Sequence, residues 1–263
     1  MAELGQSGDR QPYPNVEWNS WRNARRDEVS PGGHWVCLQS VVADKRGNLW
    51  VIDPGAPAQS LIVPGAPKLV QIDLASGEVR RVLDGDPSTQ VDKSVTVTVD
   101  GKPLQQTDGR RVSFSADGIA LTPDGRYLCG QTVKGKTKAR RFIASSRTRC
   151  KTRNLAHNRC QPEWRLSEVT EPADGLWIDE RGRLYVSSVE HHAVRVRDGS
   201  RLSTVVRDRQ LVWPDTFTEG PDGTLYVTDS RISDMRWFNS QSPTMLPTQL
   251  YAIKPFRSGL WKA

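Results

Sequence analysis

The sequence predicts an all-β protein of the β-propeller type, and three observations carry that prediction. One phrase occurs four times in the 263-residue chain: QSVVADKRGNLWVID, DGIALTPDGRYLCGQ, DGLWIDERGRLYVSS and DTFTEGPDGTLYVTD, aligned on Gly47, Gly125, Gly182 and Gly223. In each, Arg-Gly or Asp-Gly stands where a tight hairpin needs a positive φ that a side chain would resist. The short apolar run that follows (Leu49-Trp50-Val51, Leu184-Tyr185-Val186, Leu225-Tyr226-Val227) fits a strand buried on both faces. The third and fourth anchors, Asp174 and Asp215, are 41 residues apart, within the roughly 40–50 residues of a propeller blade. Finally, 21 Gly and 17 Pro interrupt the chain every few positions, and no long apolar stripe of helical period survives between them.

In chain order, residues 1–12 read as a flexible lead and 13–263 as a single propeller domain. Tyr13 to Trp21 is an aromatic, extended piece whose rings pack, and Arg22 to Gly33 is a polar loop. Trp35 to Asp53 forms the first hairpin, and two Pro-Gly-Ala-Pro stretches bracket a loop over one end of the scaffold. KLVQID from Lys68 and EVRRVL from Glu78 supply outer strands of that blade. A further hairpin turns at Asp100-Gly101 before the second phrase opens at Asp117. The third phrase continues through His192 to Arg197 and Arg201 to Val206 into a complete four-stranded blade. After the fourth phrase, QLYAIKP is an outer strand.

Charge and cysteine content bound the function further. The net charge is +7, but ten Lys and Arg fall between Lys134 and Arg159 with no acidic residue among them. The body is therefore mildly acidic, with one atypical basic segment at 133–165. That segment could be a nucleic-acid arm, yet only Phe142 and Trp164 offer stacking surfaces, so a solvated run is the preferred reading and nucleic acid is not the expected partner. No run of about 18 apolar residues occurs and the N-terminus lacks an apolar signal core, so neither a membrane span nor an export signal is read. The four cysteines form no CxxC. A Cys150–Cys160 disulfide stays open, and the spacing of Cys150, His157 and Cys160 is unlike that of a zinc site.

The chemistry is expected at one mouth of the propeller axis. Gln39, Asp117, Asp174 and Asp215 stand eight positions before the turn glycine of each phrase, so they should converge where the innermost strands begin. Asp53, Gln131, Ser188 and Asp229, six positions after it, should return to the same end. Such a set could bind a small organic ligand such as an amine, or let Asp117, Asp174 and Asp215 hold a divalent cation such as Ca²⁺. The bland alternative is that each Asp ties down local backbone N–H groups. His191 and His192 point apart if both lie in a strand, which argues against a shared metal. No G-x-S-x-G elbow signals a hydrolase nucleophile.

Taken together, YPNVEWNSW, VCLQSVVADKRGNLWVIDPGAP, KLVQIDLASGEV, SADGIALTPDGRYL, PADGLWIDERGRLYVSS and WPDTFTEGPDGTLYVTD resemble the major royal jelly protein/Yellow family in its bacterial branch. The resemblance covers most of the chain outside 133–165. It implies a six-bladed propeller, of which about four to five blades are represented here, that is monomeric, extracellular or periplasmic, and carries a ligand pocket at one end of the axial tunnel. Dopachrome-converting activity is one function it implies. The related SMP-30/gluconolactonase fold implies another, metal-dependent lactone hydrolysis; a shortened member without function is the third reading. The abrupt loss and return of pattern around 133–165 reads as a local reading-frame slip.

Overall fold

The computed structural model describes residues 1–57, 62–84, 97–110, 112, 116–125, 127–132, 141–145, 159–160 and 172–254. The first departure from expectation comes at once. Residues 1–12 are not an unstructured lead, because β1 (Ala2–Leu4) pairs antiparallel with β2 (Arg10–Pro12). The aromatic stretch that follows is a set of turns rather than an extended piece. Asn19 holds it, donating from Nδ2 to the carbonyls of Tyr13 and Asn15 at 3.0 and 2.8 Å. Trp18 and Trp35 pack with ring centroids 4.5 Å apart, while Trp21 joins a separate cluster with Val63 and Ala66.

The first blade comprises β3 (Ser40–Ala43), β4 (Asn48–Asp53), β5 (Lys68–Asp73) and β6 (Val79–Asp84), each antiparallel to the next. Between blades, β7 (Thr98–Val99) and β8 (Lys102–Pro103) form the hairpin that turns at Asp100-Gly101. The second blade has β9 (Ala116–Leu121), β10 (Tyr127–Thr132) and β11 (Arg141–Ser145). Thus the basic segment supplies the backbone of a blade strand, where its sequence shows no strand pattern. It also supplies β12 (Arg159–Cys160), parallel to the outer edge of β6. The third blade is complete: β13 (Ala173–Ile178), β14 (Leu184–Ser188), β15 (Ala193–Asp198) and β16 (Arg201–Arg207). In the fourth, β17 (Pro214–Glu219), β18 (Leu225–Asp229) and β19 (Gln249–Ile253) are described. The candidate disulfide and zinc ligands Cys150 and His157, the side chains of Cys160 and Gln131, and most of the basic window lie outside the described residues.

Blades stack face to face, as a radial all-β array requires. Trp50, Ile52, Leu69 and Leu83 of the first blade pack against Ile119 and Leu128 of the second. Ala120 meets Ala173, Leu176, Leu184 and Val186 across the next boundary, and Tyr185, Val194 and Val205 meet Phe217, Leu225 and Val227 across the last. The opposite face of β4 is buried too, with Val51 set among Val70, Val82 and Trp35. A strand whose two faces both enter a core needs the apolar runs seen after each turn glycine. The innermost strands follow one another in space, β3 beside β9, β9 beside β13 and β13 beside β17. The turn glycines behave as expected, with φ of 75°, 63°, 81° and 75° at Gly47, Gly125, Gly182 and Gly223.

Candidate functional site

The four innermost strands line a channel of about 670 Å³, whose wall includes Gln39, Asp117, Asp174 and Asp215. A local irregularity places the three acids there. In the second, third and fourth blades the inner strand is bulged against its partner: Ala116 pairs with Thr132, Ala173 with Ser188 and Pro214 with Asp229, and pairing then resumes at Ile119, Leu176 and Phe217. The unpaired residues are Asp117-Gly118, Asp174-Gly175 and Asp215-Thr216, so each bulge re-aims one aspartate. In the first blade the equivalent residues are Gln39-Ser40: Ser40 pairs with Ile52, Gln39 N–H also donates to the Ile52 carbonyl at 3.1 Å, and the anchor is the neutral Gln39.

Hydroxyl groups on the neighbouring strand receive the N–H groups that the bulge releases. Ser187 Oγ accepts from the N–H of Asp174 at 3.1 Å and of Gly175 at 2.7 Å. In the fourth blade Thr228 Oγ1 accepts from Thr216 N at 3.0 Å. The aspartates themselves are thus left for other contacts. The glycines serve a different end: a Cβ on Gly118 would lie 2.4 Å from the carbonyl oxygen of Asp174, and one on Gly175 would lie 1.6 Å from that of Asp215. Absence of a side chain lets each inner strand close on the next, which draws the three carboxyl groups together.

Electrostatically, the three carboxyl groups act on one another. Asp117 and Asp174 are joined by a hydrogen bond between their side chains. Burial pushes the Asp117 carboxyl up to about 7, helped by the charge of Asp215 and opposed by the Asp174 hydrogen bond. Burial also pushes Asp215 up to about 7, with Asp174 adding to it and donors from Thr216 and Ser230 opposing. Asp174 is raised well above the ordinary carboxylate range by burial and by Asp117, against a hydrogen bond from Trp213. Buried like charges of this kind hold protons near neutrality.

The other expected site residues are placed differently. Asp53 and Asp229 do return to the same end as the anchors, but neither lines the channel, and both are fully buried. Asp53 accepts the N–H of Val36, Cys37 and Gly55 at 2.7, 3.0 and 2.9 Å, and pairs with buried Lys68 at 2.9 Å. Asp229 accepts the N–H of Val212, Trp213 and Arg231 at 2.7, 2.8 and 3.1 Å. These two acids clamp the segment leading into an inner strand. Ser188 occupies the equivalent position in the third blade, where Pro172 has no N–H to clamp.

His191 and His192 lie in the turn between β14 and β15, not within a strand. His192 bridges outward to the Leu211 carbonyl at 2.9 Å and Asp100 at 3.1 Å, so it ties the β7–β8 hairpin to the third blade. One residue that bears on the anchors from behind the channel wall was missed by the repeat pattern. Trp213, wholly buried, donates its indole N–H to Asp174 Oδ2 at 2.6 Å.

A divalent cation would have to compete with protons and the indole for this donor set. Among the described residues, no three His, Cys, Asp or Glu side chains are grouped to hold a metal ion. Asp117 and Asp174 are bound to each other, and one oxygen of Asp174 is already taken by the indole. A cation at Asp117, Asp174 and Asp215 would have to displace that shared hydrogen bond.

No protein-family model matches the chain, and no curated protein sequence matches it. Among solved structures, a gluconolactonase from Xanthomonas campestris is 14% identical, over 74% of this chain and 54% of its own, with a TM-score of 0.44. A second, putative gluconolactonase is 18% identical over 74% and 56%, with a TM-score of 0.45. A luciferin-regenerating enzyme is 19% identical over 73% and 53%, at 0.42. The chain therefore spans about half the length of these structures, and likeness at this level describes fold alone. None of these findings points specifically to the royal jelly/Yellow family.

Proposed function

We propose that the axial mouth binds a small organic molecule and hydrolyses a lactone ring. The observation that carries this reading is the convergence of three mutually interacting carboxyl groups on one channel, with Asp117 and Asp215 titrating at about 7. Near neutral pH such a set holds a protonated and an ionised carboxyl side by side, which is what general acid–base catalysis needs. In this reading ionised Asp215 takes a proton from water as the water oxygen attacks the carbonyl carbon. The protonated member of the Asp117–Asp174 pair donates a hydrogen bond to the carbonyl oxygen and stabilises its developing charge. The ring C–O bond then breaks, and the ring oxygen leaves as a hydroxyl carrying the proton from Asp215.

The test is turnover of small sugar lactones and simple aliphatic lactones, by the wild type and by Asp215→Asn. Loss of a general base lowers kcat by about 10²–10⁴-fold, so a loss of that order, with a melting temperature no lower than the wild type's, is expected. No hydrolysis by the wild type, or full activity in Asp215→Asn, rejects the reading. The same assay with chelator and with added Ca²⁺ shows whether a cation replaces the shared proton.

A second reading rests on the same uncompensated acidity: the mouth holds an organic amine, as the royal jelly/Yellow resemblance implies. Calorimetric titration with small aromatic amines distinguishes it, since binding without lactone turnover, lost in Asp174→Asn/Asp215→Asn, supports this reading alone.

A further inference from the structure

We infer that Trp213 is a positioning residue of the axial acid cluster, which reaches across a blade boundary to fix the orientation of Asp174. The inference deepens the proposed acid–base site and rests on that site being the working one. Its geometry is specific. The indole Nε1 of Trp213 and Asp174 Oδ2 are 2.6 Å apart, and both side chains are buried, at 0% and 3% exposure. A hydrogen bond made away from water is electrostatically stronger than one exposed to solvent. It also acts on only one of the three acids, so it breaks a symmetry that the repeat would otherwise impose.

The tryptophan is itself held from two sides. Its backbone N–H donates to Asp229 Oδ1 at 2.8 Å and its carbonyl accepts from Ser230 N at 3.1 Å, which fixes the main chain two residues before Asp215. Its ring is packed among Val97, Leu104, Val112 and Val189, the first two flanking the β7–β8 hairpin. That hairpin is tied down by His192 through Asp100. An indole clamped at both its backbone and its ring has little freedom to leave Asp174, and this preorganisation is what a positioning group requires.

Repeat position shows why only Asp174 is served this way. The residues two places before the anchors are Cys37, Ser115, Pro172 and Trp213. Of these, only Trp213 carries an N–H on a rigid side chain. The third-blade counterpart of Trp213 is Pro172, which has no N–H to offer Asp117. The pair Asp117–Asp174 is therefore chemically unequal although its members are equivalent by repeat. An acid and a base drawn from one repeated residue type need some such inequality.

The experiment follows the indole N–H resonance of Trp213 by NMR as pH is varied, identifying it as the indole signal absent from Trp213→Phe. In the wild type this resonance should move as Asp174 titrates, and in Asp174→Asn it should no longer respond to pH. In Trp213→Phe the Asp174 carboxyl carbon should titrate higher by about one pH unit, the size expected for a lost hydrogen bond to a charged group. If the protein turns over lactones, the basic limb of the rate profile, set by loss of the proton from the Asp117–Asp174 pair, should move to higher pH. A Trp213 resonance that ignores the titration of Asp174, or an unchanged Asp174 midpoint in Trp213→Phe, overturns the inference. Should Trp213→Phe fail to fold, the loss of pH response in Asp174→Asn decides it alone, with the resonance identified as the indole signal that moves most on that substitution. These readouts need no turnover, so failure of the lactonase reading would leave them intact.

Discussion

At Gly175 the chain leaves no room for a side chain, and the reason is the neighbouring blade rather than the local backbone. A Cβ there would sit 1.6 Å from the Asp215 carbonyl oxygen, so Gly175→Ala must push β13 and β17 apart. Overpacking a tight contact costs about 1–3 kcal/mol and occasionally more, and this contact is backbone, which cannot swing away. We expect Gly175→Ala to lose about 3 kcal/mol or more in urea unfolding. Gly182→Ala is the control: Gly182 has a φ of 81° but open space around it, so only the strain of the left-handed region, on the order of 1 kcal/mol, is lost. Equal losses at the two positions would mean that the close approach of inner strands is not tight. Both glycines follow the same logic of absence in the sequence, yet one serves a turn and the other a contact between blades.

At the scale of the repeated hairpin, two aspartates separated by a single turn have opposite effects on stability. Asp229, at the end of β18, satisfies three backbone N–H groups. Asp229→Ala strands those donors in a buried site and should cost on the order of 3 kcal/mol. Asp215, at the start of β17, is half-buried and raised to about 7, so its ionised form is a strain on the fold. Asp215→Ala should leave stability near that of the wild type or raise it at pH 8, measured by thermal melts of both variants. Hairpin and blade were legible because period, turn glycine and apolar run all repeat. The different employment of Asp215 and Asp229 was not, since residue type and spacing do not say whose N–H groups a carboxylate meets. The bulge was hidden for a related reason: Asp-Gly before an apolar run looks the same whether the strand pairs regularly or not. Trp213 lies 39 residues from Asp174, beyond any local pattern. The strand at Arg141–Ser145 was missed because the basic composition around it obscures alternation.

For the molecule as a whole, the acid cluster sets a dependence of stability on pH that runs opposite to the usual one. Asp117 and Asp215 rise to about 7 from an ordinary 3.8, and Asp174 rises too, so between about pH 4 and pH 7 the folded state holds more protons than the unfolded state. Stability then falls as pH rises through that window, and Asp174 extends the fall until it too has ionised. Carboxylates elsewhere act at lower pH. For Asp44, burial pushes the carboxyl up, but donors from Asn48, Trp50 and Arg46 outweigh it and hold the group below its ordinary value, so its contribution is lost only on acidifying further. The melting temperature should therefore increase by several °C from about pH 8 to about pH 5, because a few kcal/mol of destabilisation is removed and about 1 kcal/mol corresponds to about 2–4 °C in a chain of this size. The double variant Asp117→Asn/Asp215→Asn, in which only Asp174 of the cluster still titrates, should show a shallower change over the same range and melt above the wild type at pH 8. Thermal scans of both proteins decide the point. A wild-type melting temperature that falls steadily on acidification from pH 8 would show that the three carboxyl groups are not buried together. A broad, pH-insensitive transition would show that the blades do not form one cooperative unit, the outcome expected of a shortened chain without function.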